Sequence, residues 1–139
     1  MNKNILSNEL MPGDIVSLEG FLVQVTYVDD KGLVGYIGLA EEREGLDTDF
    51  EAVPISADFL RSHGFTLTSV GDNGPLTPKG QLNRYEEWKR VLRLVPTVTV
   101  LFDRMTGLWC LPVLSAAQLV FVHELQHAMR LARLGTIIL

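Results

Sequence analysis

A single recognisable catalytic motif lies in the segment from Val122 to Leu134, where residues 123 to 127 (HELQH) fit the pattern H-E-x-x-H. On a helix this spacing puts two imidazoles one turn apart, where they can bind zinc while the glutamate acts as general base. A catalytic zinc also needs a third protein ligand. Residues 128 to 139 contain no His, Asp, Glu or Cys, so a third ligand would have to come from upstream, where His63 is the one other histidine and Cys110 the one thiol.

The neighbours of this motif argue against a zinc enzyme. At about 100° per residue the apolar side chains of the predicted helix share one face, and His123, His127 and Arg130 fall on the opposite one. A guanidinium one turn from the imidazoles repels a dication and cannot lose its proton. We therefore expect a solvated or hydrogen-bonded helix surface without a metal cofactor. The alternative is a zinc-dependent hydrolase with Glu124 as base and His63, His123 and His127 as ligands.

A second set of residues could bind an anion. Residues 1 to 80 contain 5 Lys and Arg against 13 Asp and Glu, a net charge of −8, whereas residues 81 to 139 contain 7 against 4, a net charge of +3. General nucleic-acid binding is not expected of the acidic part. In the cationic part, arginines could contact phosphates and a tryptophan could stack on a base, although core packing is the alternative role for tryptophan. The candidate ligand-binding residues are Trp88, Arg90, Arg93, Arg104 and Arg130.

Length and composition indicate an ordinary globular protein. Of the 139 residues 47% are hydrophobic and 21% are charged, so we expect one domain or two small subdomains. The single cysteine, Cys110, excludes an internal disulfide framework and suits a reducing cytosol. The N-terminal segment lacks an apolar signal core, and no uncharged run reaches the roughly 18 apolar residues of a membrane span. We therefore expect no membrane partner and a cytoplasmic location.

Short strands joined by tight turns are expected in the first part of the chain. Residues 15 to 18, 21 to 28 and 33 to 39 are apolar or alternating, and Phe21 begins a series in which every second residue is apolar. This period of two predicts a strand with one side buried. Three such strands predict a small, bent antiparallel sheet of SH3-like type, which we assign to a subdomain of residues 1 to 50.

The remainder, residues 51 to 139, is expected to form an α+β subdomain that packs with the first into one compact unit. Ser56 is a good N-cap for a short middle helix. This helix is predicted at residues 57 to 63, and loops are predicted at residues 41 to 49 and 71 to 80. The segment 83 to 95 is ambiguous, and we expect a strand in its second half. Further strands are predicted at residues 65 to 70, 97 to 102, 108 to 113 and 136 to 139. The long helix, residues 122 to 134, is expected to pack against this C-terminal antiparallel sheet.

Three stretches carry a family resemblance. They are Met11 to Val16, then Val53 to Ser56 with Phe59-Leu60 and Gly64-Phe65, and finally Val122 to His127 with Leu131. In order and spacing they resemble a family of small uncharacterised proteins encoded by phages, prophages and mobile elements of Bacteroidota. The resemblance implies a phage accessory protein. It also implies variation at the positions of Glu124 and His127, which a metalloprotease could not tolerate.

Three functions are therefore open. The first is a non-enzymatic accessory protein of a phage or mobile element that binds a host factor and counters host defence by sequestering a nucleotide signal or a defence protein. The second is the zinc-dependent hydrolase. The third is a structural or assembly module that acts through homo-oligomerisation. The sequence favours the first, because serine-histidine-acid and cysteine-histidine catalysis have no local signature in the chain.

Overall fold

The computed structural model describes residues 9–38, 41–71, 84–114 and 118–139. The chain divides into two compact units. The first consists of residues 1–54, 121–126 and 136–139, and the second of residues 55–120 and 127–135. The described strands form two antiparallel sheets of five strands each, accompanied by a short helix and a C-terminal helix, which confirms the predicted α+β class.

The first unit contains a sheet with the strand order β4-β3-β2-β1-β5. Its strands are β1 (Ile15–Leu18), β2 (Phe21–Val28), β3 (Leu33–Ile37), β4 (Glu42–Leu46) and β5 (Phe50–Glu51), with a 3₁₀-helix (Asp47–Asp49) before β5. The last strand returns to pair with the first, Ser17 opposite Glu51. This sheet confirms the small antiparallel sheet predicted for this part of the chain, and its SH3-like type stays a prediction.

The acidic stretch from residue 41 to 49, predicted to be an exposed loop, is mostly strand. β4 pairs with β3 from Leu33 opposite Leu46 to Ile37 opposite Glu42. The prediction was wrong because an edge strand can carry many charges that face water, and such charges also discourage pairing with another chain. High charge density therefore does not distinguish an edge strand from a loop.

The core of the first unit follows the predicted alternation of β2 only in the middle of the strand, because Phe21 and Tyr27 near its two ends are exposed. Val23 and Val25 are 4% and 2% exposed, but Phe21, at the start of the same series, is 74% exposed. The buried members of this core are Leu10, Val16, Val23, Val25, Val34, Phe50 and Ala52. The exposure of Phe21 contradicts the expectation that the whole series is buried.

The second unit contains a sheet with the strand order β10-β9-β8-β7-β6. Its strands are β6 (Phe65–Gly71), β7 (Tyr85–Arg90), β8 (Val98–Asp103), β9 (Leu108–Cys110) and β10 (Gln118–Leu119). β7 occupies the first half of the ambiguous segment, not the second half as predicted. Its residue Trp88 lies opposite Leu67 and Val100, so pairing on both sides outweighs the helical spacing of its apolar residues. Most of the predicted loop at 71–80 lies outside the described residues.

The short helix α1 (Ala57–Ser62) begins where its cap predicts. The Ser56 hydroxyl accepts a hydrogen bond from the backbone N–H of Phe59 at 3.1 Å. His63 is the C-cap, and Gly64 follows in the left-handed conformation with φ at 90°. This N-cap and glycine pair confines the helix to less than two turns.

The C-terminal helix α2 (Val122–Leu131) ends earlier than predicted. The Leu134 amide donates to the Met129 carbonyl at 2.9 Å, while Arg133 takes the left-handed conformation with φ at 56°. This is a Schellman closure formed without glycine. Residues 136–139 form no strand, contrary to the prediction. In the part of the chain that the structure describes, no helix has the length and apolar character needed to cross a membrane.

An ion pair at the end of the second sheet makes stability depend on pH. Arg84 binds Asp103 through two parallel hydrogen bonds of 2.8 and 2.9 Å. This pairing holds the pKa of the Asp103 carboxyl well below its usual range. The side chain of an aspartate in an unfolded chain has a pKa of about 4. The stabilisation is therefore complete above about pH 4 and declines as the pH falls toward the lower pKa of the folded state.

We expect Asp103→Asn to remove this contribution. The urea midpoint of the wild type should fall between pH 6 and pH 3 by more than that of the variant, because the variant has no carboxylate to protonate. Asp58→Asn is the matched control, since Asp58 pairs with Arg61 at 3.6 Å on the surface and its side chain is 98% exposed. Equal pH dependence of Asp103→Asn and wild type would contradict the prediction.

Candidate functional site

The glutamate of the H-E-x-x-H motif serves the start of its helix. Glu124 Oε1 accepts a hydrogen bond from the backbone N–H of Phe121 at 2.9 Å. Phe121 directly precedes α2, so Glu124 occupies the third helical position, from which a glutamate closes the N-terminus of a helix. The carboxylate that the zinc hypothesis requires as a base is therefore engaged with the backbone.

The first histidine of the motif is buried. His123 is 3% exposed, and its ring lies nearly parallel to that of Phe121 with the centroids 6.0 Å apart. The expectation of a solvated surface was wrong for His123, and His127 and Arg130 are half-buried. Within α2 only Leu131 is fully exposed, so the helix is enclosed on more than the one apolar face on which the prediction was based.

The other possible zinc ligands do not complete a site. His63 Nδ1 lies 2.8 Å from the Phe59 carbonyl oxygen, and the two rings stack with centroids 4.0 Å apart. Burial raises the pKa of the Cys110 thiol, which disfavours the thiolate that binds metals. Among the described residues, no three His, Cys, Asp or Glu side chains form a group that could hold a metal ion. The donors around the motif therefore do not fit a three-ligand zinc site.

Gln126, between the two histidines, has a structural role that the sequence did not reveal. It is 1% exposed. Its Nε2 donates to the Gly13 carbonyl at 2.8 Å and to the Ile137 carbonyl at 3.2 Å, and its Oε1 accepts from the Ile15 amide at 2.8 Å. One side chain thus bonds three backbone groups of the first unit. The sequence signal was a polar residue at the edge of the apolar face of the helix.

Two of the predicted ligand-binding residues are buried in the second unit. Trp88 is 1% exposed and donates from Nε1 to Glu86 Oε1 at 3.0 Å. The Arg61 guanidinium lies over the Trp88 ring at 5.2 Å. Arg90 is 3% exposed and donates to the Leu134 carbonyl at 3.3 Å. Burial lowers the pKa of Arg90.

The remaining predicted ligand-binding residues occupy different settings. Arg104 pairs with Glu86 at 3.0 Å, Arg130 lies half-buried in α2, and Arg93 is exposed between β7 and β8. Of the five members of the predicted set, two are therefore in the core, one is in an ion pair, one is half-buried in α2 and one is in an open loop. The contacts of these residues describe several local roles and no common surface for an anion.

The first unit contains an open groove. Its volume is about 600 Å³, within the range of pockets that bind small molecules. Phe21 and Leu22, 74% and 38% exposed, contribute apolar surface from the start of β2, and Tyr36 contributes from β3. The full lining is Phe21, Leu22, Val23, Tyr36, Gly38, Glu41 and Arg43. We refer to this site as the groove.

The surroundings of the groove are strongly acidic. Residues 9 to 54 contain 11 Asp and Glu against 2 Lys and Arg. The Glu44 carboxylate, which accepts a hydrogen bond from the Tyr27 hydroxyl, raises the pKa of Tyr27 to about 12, and neighbouring carboxylates add to the shift. Within the lining, the charged groups of Arg43 and Glu41 are 3.8 Å apart and mostly exposed. An ion pair of this kind contributes little to the stability of the fold. The field of this sheet therefore favours cations.

A second exposed apolar feature lies in the second unit. Residues 91 to 97 connect β7 to β8, and all seven are exposed. Four of the first five are large and apolar: Val91, Leu92, Leu94 and Val95 are 72%, 48%, 95% and 40% exposed. Such a run on a surface is unfavourable unless something covers it. We refer to residues 91 to 97 as the apolar loop.

Comparisons of the chain with protein-family models, with curated proteins and with solved structures gave no match.

Proposed function

We propose that the chain is a non-enzymatic binding protein that takes a short segment of a partner protein into the groove. The observation that carries the proposal is the groove itself, in which Phe21 is 74% exposed although its alternation partners Val23 and Val25 are buried. A large aromatic side chain held in water beside a concave apolar surface is typical of a binding site.

The groove is prepared for binding by the core beneath it. Tyr36 lines the groove and also contacts the buried ring of Phe50 edge to face, with centroids 5.4 Å apart. A ring supported in this way loses little conformational freedom when a partner packs on it, and aromatic anchors of this kind carry much of the energy of protein interfaces. This favours apolar side chains as the inserted groups.

Charge selects among apolar segments. The excess of carboxylates in residues 9 to 54 attracts a cationic segment and repels phosphate groups. Glu41 in the lining offers a carboxylate to an arriving guanidinium. Of the two ligand classes expected for a phage accessory protein, the groove therefore supports a host protein, such as a defence protein, over a nucleotide signal. The nucleotide and the zinc hydrolase stay predictions without a site that supports them.

Fluorescence anisotropy with short labelled peptides tests this function. We expect a peptide with two leucines flanking one arginine to bind the wild type at least tenfold more tightly than the same peptide with glutamate in place of arginine. Phe21→Asp should abolish binding because it puts a charge on the apolar wall. Leu46→Asp is the matched control, since Leu46 is also exposed (51%) and lies in the same sheet but outside the groove lining.

Two results would refute the proposal. One is equal binding of the arginine peptide to wild type and Phe21→Asp, which would put the peptide elsewhere. The other is the absence of saturable binding by any apolar cationic peptide. Preference for the glutamate peptide would likewise overturn the charge argument.

A further inference from the structure

We infer that a second copy of this chain can occupy the groove, with its apolar loop as the inserted segment. This inference rests on the proposed function, because it assigns to the groove an internal competitor of the same chemical class as the external partner. The chain would then associate head to tail, the loop of one copy in the groove of the next. Self-association would regulate the groove by keeping it filled until a partner segment displaces the loop.

The loop has the apolar content that the groove selects. Leu92 and Leu94 flank Arg93, and Val91 and Val95 stand outside them, so the loop presents apolar side chains around one cation. Leu94 is 95% exposed, which leaves its side chain almost entirely in water. Packing within the chain therefore does not explain why a leucine stands at this position.

The backbone of the loop adds a second argument. Leu94 has φ at 69°, in the left-handed region that is unfavourable for a branched, bulky residue. Glycine or asparagine would adopt this conformation at lower cost. A leucine that is both strained and exposed is poorly suited to the isolated chain, and a contact with another molecule gives it a role.

Charge makes the loop and the groove complementary. The apolar loop contains Arg93 and no Asp or Glu, whereas residues 9 to 54 carry the carboxylate excess that surrounds the groove. A loop-to-groove contact therefore joins opposite charges, with Arg93 able to reach Glu41. A symmetric loop-to-loop contact would instead bring two copies of Arg93 together. The complementary, head-to-tail arrangement is favoured.

Analytical ultracentrifugation over a range of protein concentrations tests this arrangement. We expect the mass of the wild type to rise above the 15.5 kDa of one chain with increasing concentration. Leu94→Asp and Phe21→Asp should each stay at the mass of one chain. Leu131→Asp and Leu46→Asp are the matched controls, because both replace exposed leucines outside the loop and the groove, and they should associate like the wild type.

A mixture of the two defective variants gives the sharpest result. Leu94→Asp retains a groove and Phe21→Asp retains a loop, so an equimolar mixture should form a complex of two chains and grow no further. If Phe21→Asp associates as well as wild type, if the mixture stays at one chain, or if the wild type never exceeds one chain, the inference is refuted. Leu94→Gly should associate at least tenfold more weakly than the wild type. Its urea midpoint should be unchanged or raised, because glycine adopts the left-handed conformation at lower cost. This combination separates an effect on association from an effect on stability.

Failure of this inference is distinguishable from failure of the proposed function. A wild type that stays at one chain but binds the arginine peptide through Phe21 keeps the groove as a partner site and removes only the second copy. A wild type that associates as described but binds no free peptide supports self-association and removes the proposed partner function.

Discussion

Replacing Trp88 with alanine is expected to lower the free energy of unfolding by about 3 to 5 kcal/mol, the usual cost of removing a fully buried aromatic side chain. Trp88 is 1% exposed on β7, an inner strand of the second sheet, and its ring lies near Trp109 with centroids 6.4 Å apart. The indole also donates to Glu86, which in turn pairs with Arg104, so truncation removes a hydrogen bond as well as packing. Urea unfolding followed by circular dichroism measures the effect.

The comparison variants separate a core role from a ligand-stacking role. Trp88→Phe keeps most of the buried ring and should cost less than Trp88→Ala, while Val91→Ala, at a side chain that is 72% exposed, should change stability by less than about 0.5 kcal/mol. A Trp88→Ala protein as stable as the wild type would show that the side chain is not a core residue. Trp88 would then again be a candidate for stacking on a ligand.

Replacing Gln126 with alanine is expected to cost roughly 2 to 4 kcal/mol. The change leaves the buried amide of Ile15 without its side-chain acceptor, which costs about 1 to 3 kcal/mol. The carbonyls of Gly13 and Ile137 each lose one donor and keep the weaker one from Gln24, which adds to the cost. Gln126→Leu should be similarly destabilised although it keeps the volume. Loss of hydrogen-exchange protection at the Ile15 amide would localise the effect.

Gln24 provides the matched control for Gln126. Its Nε2 donates to the same two carbonyls, at 2.9 Å to Gly13 and 3.4 Å to Ile137, but the side chain is only half-buried. Gln24→Ala should therefore cost less than Gln126→Ala, because water can replace the lost donor. If both variants lose the same stability, burial does not decide the cost and the explanation is wrong.

Local patterns predicted the elements that depend on local chemistry. The Ser56 cap predicted the start of α1, and the alternation of the first strands predicted β1 and β2 at their observed residues. These features are fixed by side-chain period and by hydrogen bonds between near neighbours, which a sequence displays directly. The predictions succeeded where the determining contacts are close along the chain.

The errors arose where distant parts of the chain decide the outcome. β7 is a strand because it pairs with β6 and β8, and β4 is a strand because it pairs with β3, although its sequence resembles a solvated loop. His123 was predicted to be solvated because a polar residue opposite an apolar face normally meets water. Its burial requires packing partners far away in sequence, which the helix pattern does not contain.

The candidate site was the least predictable part. The sequence pattern pointed to the H-E-x-x-H motif in α2. In the structure, Glu124 caps the helix and Gln126 forms hydrogen bonds with the backbone, so both residues have structural roles. The groove depends on the exposure of Phe21, and its sequence signal, one aromatic in a regular alternation, is the same as that of a core residue. Exposure of one member of an alternating series can be read only from the folded chain.

The path of the chain between the two units limits how the protein can be divided. The polypeptide passes from one unit to the other at residues 54 and 55, at 120 and 121, at 126 and 127, and at 135 and 136. A fragment ending at Pro54 would lack Gln126 and with it the side-chain partner of the Ile15 amide. No single truncation point therefore yields either unit intact.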